Sequence, residues 1–441
     1  MSNLSQTDPE IYDLIEAETK RRRDGLEMIP SENHTSRAVL EALGSILSDK
    51  YAEGYPNKRY YGGNQVIDKV ENLVIERTKQ AFSVPYANVQ PYSGSPANFA
   101  VYLAVCENGD KVMGQNLPDG GHLTHGAKVN ASSRFFQCIP YHLREDGYLD
   151  MEEVRKLALE HKPKLIWCGA TAYPREIPFE EFGRIADEVG AYLVADVAHI
   201  AGLIIAGAHK NPVPFVHIIT TTTHKTLRGP RGGIIMVTEK GLQKDPELGQ
   251  KIDRAVFPAG VQGGPHEHQI AAIGVALKEA MTPEFKEYSH QIVKNSKALA
   301  KELMVQGFKL TSGGTENHLM VIDLTPFGKG MGVFMEEALD TACITVNKNT
   351  IPQEPSSPFY PSGVRLGTAA ITTRGMREEE MKLISGFIAR TAEEIKTLHL
   401  PEDKGQRLLY LKEFRANLAS NTKLKEVQKE VKELCSRFLI P

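Results

Sequence analysis

The sequence predicts an α/β protein built on a mostly parallel sheet with helices on both sides. Three observations carry that expectation. Helical stretches alternate with short apolar strands through the middle of the chain, the pattern of a sheet buried on both faces. The polar residues able to do chemistry stand where those strands stop, which is where ligands sit in such sheets. The chain of 441 residues is also long for one core, so two domains, possibly three, are expected.

Each element follows from its local pattern. The first thirty residues read as a helical arm ending at Pro30, with Arg21, Arg22 and Arg23 on a solvated face. "PFEEFGRIADEVGA" places Phe182, Ile185, Ala186 and Val189 on one helical face. "AYLVADVAH", "HIITTTTHK" and "GGIIMVT" follow as strands. A long helix at about 284–307 leads to a second domain, in which "HLMVIDL" and "ITVNKN" are strands. The segment 378–440 is helical and highly charged, and reads as a solvated surface. The expected division is an arm at 1–30, a large domain at 31–283 and a smaller α+β domain at 284–441.

Composition narrows the function. Net charge is −3, from 52 basic and 55 acidic residues, so neither nucleic acid nor a membrane surface is the expected partner. The five cysteines are far apart with no C-x-x-C pair, which suits free thiols and no structural zinc; no metal is expected. No apolar run approaches the roughly 20 residues that span a bilayer. The N-terminal stretch has no apolar signal-peptide core, and a cytoplasmic protein is expected.

Several short stretches stand out. In "TTTTHKTLRGPRGG" a β-branched run gives way to a glycine-rich loop, placing His224 and Lys225 at a strand end. That lysine is either part of a basic surface turn or an amine held for covalent chemistry. In "ADVAH", Asp196 closes an apolar strand and His199 lies just beyond. A carboxylate there needs a cationic partner, either in a buried ion pair or as counter-ion to a protonated cofactor ring. "YSGSPAN" sets Ser93, Gly94 and Ser95 before a helix, as a cap or as a phosphate cradle. "DGGHLTHG" holds two histidines among glycines, weak evidence for a metal and at least as well suited to stacking on a planar cofactor. "YAEGYPNKRYYGG" gathers four tyrosines around Glu53 and reads as a binding loop. "SGVRLGT" puts Arg365 at an apolar strand start, suited to gripping a carboxylate or to an interdomain salt bridge. P-loop and dinucleotide fingerprints are missing. Together these are the parts of an amino-acid enzyme that uses pyridoxal phosphate.

The same stretches, in order from "IPSENHTS" to "SPFYPSGVRLGTAAITTRG", resemble the serine hydroxymethyltransferase family over most of the chain. The resemblance implies the fold-type-I architecture of aspartate aminotransferase-like pyridoxal phosphate enzymes. It implies a homodimer or tetramer with active sites at the subunit interface, and transfer of the serine hydroxymethyl carbon to tetrahydrofolate. Cleavage of some 3-hydroxy amino acids without folate is also implied. By that resemblance Lys225 is the covalent anchor, His224 tunes substrate choice and Arg231 supports the site. Asp196 meets the ring nitrogen, His199 the phenolic oxygen, and His122 stacks on the ring. Ser93, Gly94 and Ser95 cradle the phosphate, joined by Tyr51 and Gly264 of the partner subunit. Thr171 stands where serine is usual, and Thr222 packs near the lysine. Ser31 and Arg365 hold the substrate carboxylate, while Glu53 and Tyr61 manage protons around the hydroxymethyl group. Leu117, Gly121, His122, Leu123, Asn349, Ser357, Pro358 and Phe359 match the folate pocket. The chain departs from the family pattern at Asn116, Pro118 and Asp119, which bear on the folate loop, and at His34.

Two rival readings are a folate-independent aldolase of β-hydroxy amino acids and a catalytically silent or RNA-binding homologue. The first has no use for "GGHLTHG" or "SPF". The second has no use for the lysine, counter-ion and arginine, and the near-neutral charge does not suit RNA.

Overall fold

The computed structural model describes residues 3–440. Seven strands form the main sheet, in the spatial order Tyr86–Asn88, Gly233–Val237, Ile218–Thr222, Tyr192–Asp196, Leu165–Cys168, Lys111–Gln115, Gln137–Tyr141. Gly233–Val237 runs antiparallel to both its neighbours, and every other pairing is parallel. Alternate residues feed opposite faces, as the pleat requires. Ile166, Cys168, Leu193, Ala195 and Ile219 join one apolar cluster, while Leu165, Trp167, Val194 and Ile218 join another. Burial on both faces explains why these strands read as continuous apolar runs.

The helix Phe179–Val189 buries Phe182, Ile185 and Ala186 on the expected face, leaves Val189 half-buried, and ends at Gly190 with φ 72°, the left-handed cap that glycine favours. The sheet's parallel strands finish on one edge. The loops after Asn88, Gln115, Cys168, Asp196 and Thr222 therefore meet on the same side of the molecule.

A second, antiparallel sheet orders Lys309–Leu310, Leu319–Asp323, Gly363–Gly367 and Asn347–Asn349. It packs into a separate apolar cluster. The helix Pro283–Val305 spans the two cores, with Ile292 in the first and Leu299 and Leu303 in the second.

Three expectations are corrected. The N-terminal helix ends at Asp24 rather than Pro30; Gly25 follows, and Leu26–Glu27 pairs in parallel with Ile344–Thr345. Leu26 and Met28 are fully buried in the second cluster, so an apolar pull ends the helix early. Arg21 and Arg22 are not simply solvated. Arg21 pairs with Glu18 and the buried Glu27, and Arg22 donates to the Asn33 carbonyl. The C-terminal segment is not only a solvated surface. Its helices Glu378–Glu393, Lys404–Leu418 and Thr422–Arg437 bury Ile384, Leu411, Phe414, Leu424, Val431 and Leu434. Their high charge masks a continuous apolar stripe.

Arg374 joins the two ends of the chain. Its Nε donates to Phe438 O at 2.8 Å, Nη1 to Gly25 O at 2.8 Å, and Nη2 to Arg23 O and Cys435 O, both at 2.9 Å. These carbonyls close two helices, so a cation suits both dipoles. Replacing Arg374 with methionine removes that donor from Gly25 O, Arg23 O and Phe438 O, while Cys435 O keeps Phe438 N at 3.2 Å, at about 1–3 kcal/mol for each buried group left unpaired. The expected result is a thermal midpoint several degrees lower, measured by differential scanning calorimetry.

Candidate active site

The strand Ile218–Thr222 ends in a turn held from within. Thr223 Oγ1 donates to Pro230 O at 2.6 Å, Gly229 N to Thr223 O at 2.7 Å, and Arg228 takes φ 61°. Lys225 sits in this turn and is buried. Its carbonyl accepts from Asn33 Nδ2 at 2.9 Å, and the same amide reaches Tyr288 Oη at 2.8 Å. Thr226 Oγ1 donates to His199 O at 2.9 Å, tying the lysine loop to the neighbouring strand end. Burial pushes the Lys225 amine down to about 8; the Asp196 charge opposes the shift, and Arg365 and Arg231 add to it.

Asp196 closes its strand opposite Thr220. Burial alone would raise its carboxyl. His125 Nε2 at 3.0 Å and Asn98 Nδ2 at 2.9 Å outweigh that and hold it well below the usual range. His122 is half-buried, with Nδ1 2.7 Å from Thr124 Oγ1, and burial pushes it down to about 4. His199 is buried, with Nδ1 3.2 Å from His318 Nε2, and burial keeps it neutral. His224 is pushed down to about 3, chiefly by burial, and its buried Nδ1 has no partner among the described residues.

Ser93 precedes the helix Gly94–Val105, yet its side chain makes no capping hydrogen bond. A Cβ on Gly94 would come within 2.7 Å of Thr222 Cγ2. The helix start is thus uncapped, closely backed by the lysine strand, and open through the exposed Ser95. That is a site for an anionic group.

Arg365 is central in its strand rather than at the start, and is buried. Nε donates to Asn347 Oδ1 at 3.1 Å and Nη1 to Thr171 O at 2.6 Å, which leaves Nη2 without a partner among the described residues. Thr171 thus engages Arg365 through its backbone. Gly367 N donates to Met28 O at 2.8 Å, laying the segment that carries Ser31 along this strand. Burial pushes the guanidinium down to about 10.

The loop after Gln115 carries Leu117 and Gly121, with Gly121 N on Asn116 O at 3.0 Å. Thr350 Oγ1 donates to Pro118 O at 2.7 Å, so Pro118 ties this loop to the segment holding Asn349, Ser357, Pro358 and Phe359. A cleft of about 510 Å³ opens between them, with Pro118, Asp119, Thr350 and Pro358 in its lining. Leu123 and Phe359 are exposed.

Tyr51, Glu53, Tyr61 and Gly264 form a separate set. The Tyr51 and Tyr61 rings meet edge-on at 5.0 Å, and Gly264 lies against Tyr51 and Glu53. Tyr51 and Tyr61 are 56% and 46% exposed. Among the described residues no hydrogen bond, ion pair or ring contact links this set to Lys225.

The model of the serine hydroxymethyltransferase family matches residues 4–388. The chain belongs to that family. It is therefore a fold-type-I enzyme that transfers the serine hydroxymethyl carbon reversibly to tetrahydrofolate with pyridoxal phosphate as cofactor. The residues fit that cofactor on three counts: a buried amine, an ionised carboxylate under several donors, and an uncapped helix start. Sequence reasoning missed His125, His318, Asn98 and Asn33 for this serine hydroxymethyltransferase site. The second histidine of "GGHLTHG" was the available signal; the others are brought in by distant segments.

With its amine at about 8, Lys225 is mostly protonated, and so not nucleophilic, at pH 6. Capture of pyridoxal phosphate by the cofactor-free enzyme, trapped with borohydride and located by peptide mass spectrometry, is expected to quicken from pH 6 and level off above about pH 8.

Proposed function

We propose that the residues assembled around Lys225 carry out the family's reaction in the roles the sequence suggested. The observation that supports this most is Arg365, a buried guanidinium with Nη2 free, sharing one edge with the buried amine of Lys225 and the carboxylate of Asp196. Lys225 holds the cofactor covalently. Asp196 keeps its negative charge toward the ring nitrogen, neutral His122 stacks on the ring, and His199 meets the phenolic oxygen. Ser93, Gly94 and Ser95 take the phosphate, with Thr222 behind them and Thr171 flanking. When bound, pyridoxal phosphate supplies an electron sink that weakens the bonds at the substrate Cα.

Arg365 and Ser31 grip the substrate carboxylate, and that grip decides which Cα bond is aligned for cleavage. Glu53 and Tyr61 hold and move the proton of the hydroxymethyl oxygen. His224 borders the amine as a neutral group and tunes which substrate fits. Leu117, Gly121, His122, Leu123, Asn349, Ser357, Pro358 and Phe359 bind the folate close enough to capture the one-carbon unit before water does.

A second copy of the chain supplies Tyr51 and Gly264, so the active unit is a homodimer or a tetramer of such dimers. The exposed tyrosines, whose rings meet edge-on, support this. The chain divides into an arm at 1–30, a large domain at 31–283 and a small one at 284–441; the separate apolar clusters support the second boundary. Among the described residues no helix is long and apolar enough to cross a membrane; we place the enzyme in the cytoplasm.

Arg365→Leu is expected to raise the KM for serine by between about tenfold and a hundredfold, as for loss of a charge-assisted hydrogen bond, in a serine-dependent assay of methylenetetrahydrofolate formation. Co-expressed Lys225→Ala and Tyr51→Ala chains, each inactive alone, are expected to regain about a quarter of wild-type activity if sites are shared between two copies.

A further inference from the structure

The turn that carries Lys225 is held from outside by a side chain two residues beyond Ser31. Within the turn, Lys225 O accepts from Arg228 N at 3.0 Å. The same carbonyl accepts from Asn33 Nδ2 at 2.9 Å. Asn33 is buried, and its amide makes the four hydrogen bonds of which it is capable. Nδ2 also donates to Tyr288 Oη at 2.8 Å, while Oδ1 accepts from His34 N at 2.9 Å and from Thr373 Oγ1 at 2.7 Å. The amide has no choice of orientation, because His34 N can only donate and Lys225 O can only accept.

Two hydroxyls close a ring with this amide. Thr373 Oγ1 directs its hydrogen to Asn33 Oδ1, its shortest contact among the described residues. Tyr288 Oη accepts from Asn33, so its own hydrogen goes to Thr373 Oγ1 at 3.0 Å in preference to Ala369 O at 3.4 Å. Donation then runs one way round, from Asn33 to Tyr288 to Thr373 and back, and each bond strengthens the next.

The members of the ring come from three segments that matter to the site. Asn33 follows Ser31 in the N-terminal segment. Thr373 ends the short helix Ala369–Thr373, which follows the strand of Arg365, and Tyr288 lies on the helix common to both cores. Tyr288 meets the lysine turn a second time, since the Arg228 guanidinium lies over its ring at 4.9 Å.

We propose that Asn33 is a positioning residue that, through this ring, fixes the Lys225 turn relative to Ser31 and Arg365 and so aligns the amine with the substrate carboxylate. This rests on the reading that Lys225 holds the cofactor while Ser31 and Arg365 hold that carboxylate. Without the amide, the turn keeps its internal bonds but loses its direct tie to the N-terminal segment.

The test has two readouts on the full-length enzyme. One is the pH profile of pyridoxal phosphate capture by the cofactor-free form, trapped with borohydride. The other is the pair of steady-state constants of the holoenzyme for serine. In Asn33→Ala the loosened turn admits water to the amine, whose pKa climbs from about 8 toward the ordinary lysine value. The charges acting on that amine, Asp196, Arg365 and Arg231, are unchanged in the variant. Its capture profile is expected to level off about one pH unit above that of the wild type. Its kcat is expected to fall about tenfold, with the KM for serine within about twofold, as for lost alignment rather than lost binding. A wild-type profile and kcat in Asn33→Ala overturn the proposal, even with a lower thermal midpoint. A raised KM with unchanged kcat overturns it too, because Asn33 would then belong to substrate binding. Tyr288→Phe and Thr373→Val open the ring but leave the bond from Asn33 to Lys225, and they decide if Asn33→Ala does not fold. Each is expected to move the profile the same way by less, and wild-type profiles in both contradict the proposal. If the group trapped in the wild type lies on a peptide without Lys225, the anchor assignment itself fails, an outcome separate from failure at Asn33.

Discussion

A carboxylate with only a tenth of its side chain exposed, at the end of an apolar strand, sets the terms for everything around it. Burying an anion is unfavourable unless donors and positive charge meet it. Asp196 is met by Asn98 from the helix Gly94–Val105, by His125 from the glycine loop, and by the field of Lys225 from the adjacent strand end. Each follows the carboxyl end of a different strand of the main sheet, and a mostly parallel sheet brings those ends to one edge. The carboxylate and the amine then define each other. The charge of Asp196 limits how far burial lowers Lys225, and Lys225 remains a usable nucleophile.

The second core reaches the same edge by another route. Arg365 is carried by the antiparallel sheet but donates to Thr171, which follows a strand of the main sheet. Asn33 reaches Lys225 from the N-terminal segment, with Thr373 Oγ1 donating to its Oδ1 at 2.7 Å. Arg374, one residue on, clamps both chain ends. Arg365 and Lys225 are thus each held by short hydrogen bonds to segments that connect the two separate apolar cores. Their relative position depends on how those cores sit, and the helix Pro283–Val305 is common to both.

Much of this was legible in the sequence because the signals are local. The strand ends at Asp196 and Lys225, the helix after Ser93 and the apolar face of Phe182 and Ile185 are all written within a dozen residues. What was not legible depends on partners far along the chain. Arg21 looks solvated until the buried Glu27 is seen beside it, and Arg365 looks like a strand start until its pairing is known. The charge of 378–440 conceals an apolar stripe that only the packed helices reveal. His125 was overlooked because two histidines three residues apart carry no mark of which one serves the carboxylate. The tyrosine loop reads as a binding feature in the sequence, and within one chain no hydrogen bond, ion pair or ring contact among the described residues links it to Lys225.

The central claim is that the charge held at Asp196 and the amine of Lys225 act together with a folate site. A visible absorption spectrum of the purified enzyme, taken before and after glycine and then with tetrahydrofolate, tests this most directly. The account predicts a coloured protein whose band moves strongly to longer wavelength only when glycine and tetrahydrofolate are both present. A coloured protein indifferent to folate, or a colourless one that stays so with added pyridoxal phosphate, contradicts it.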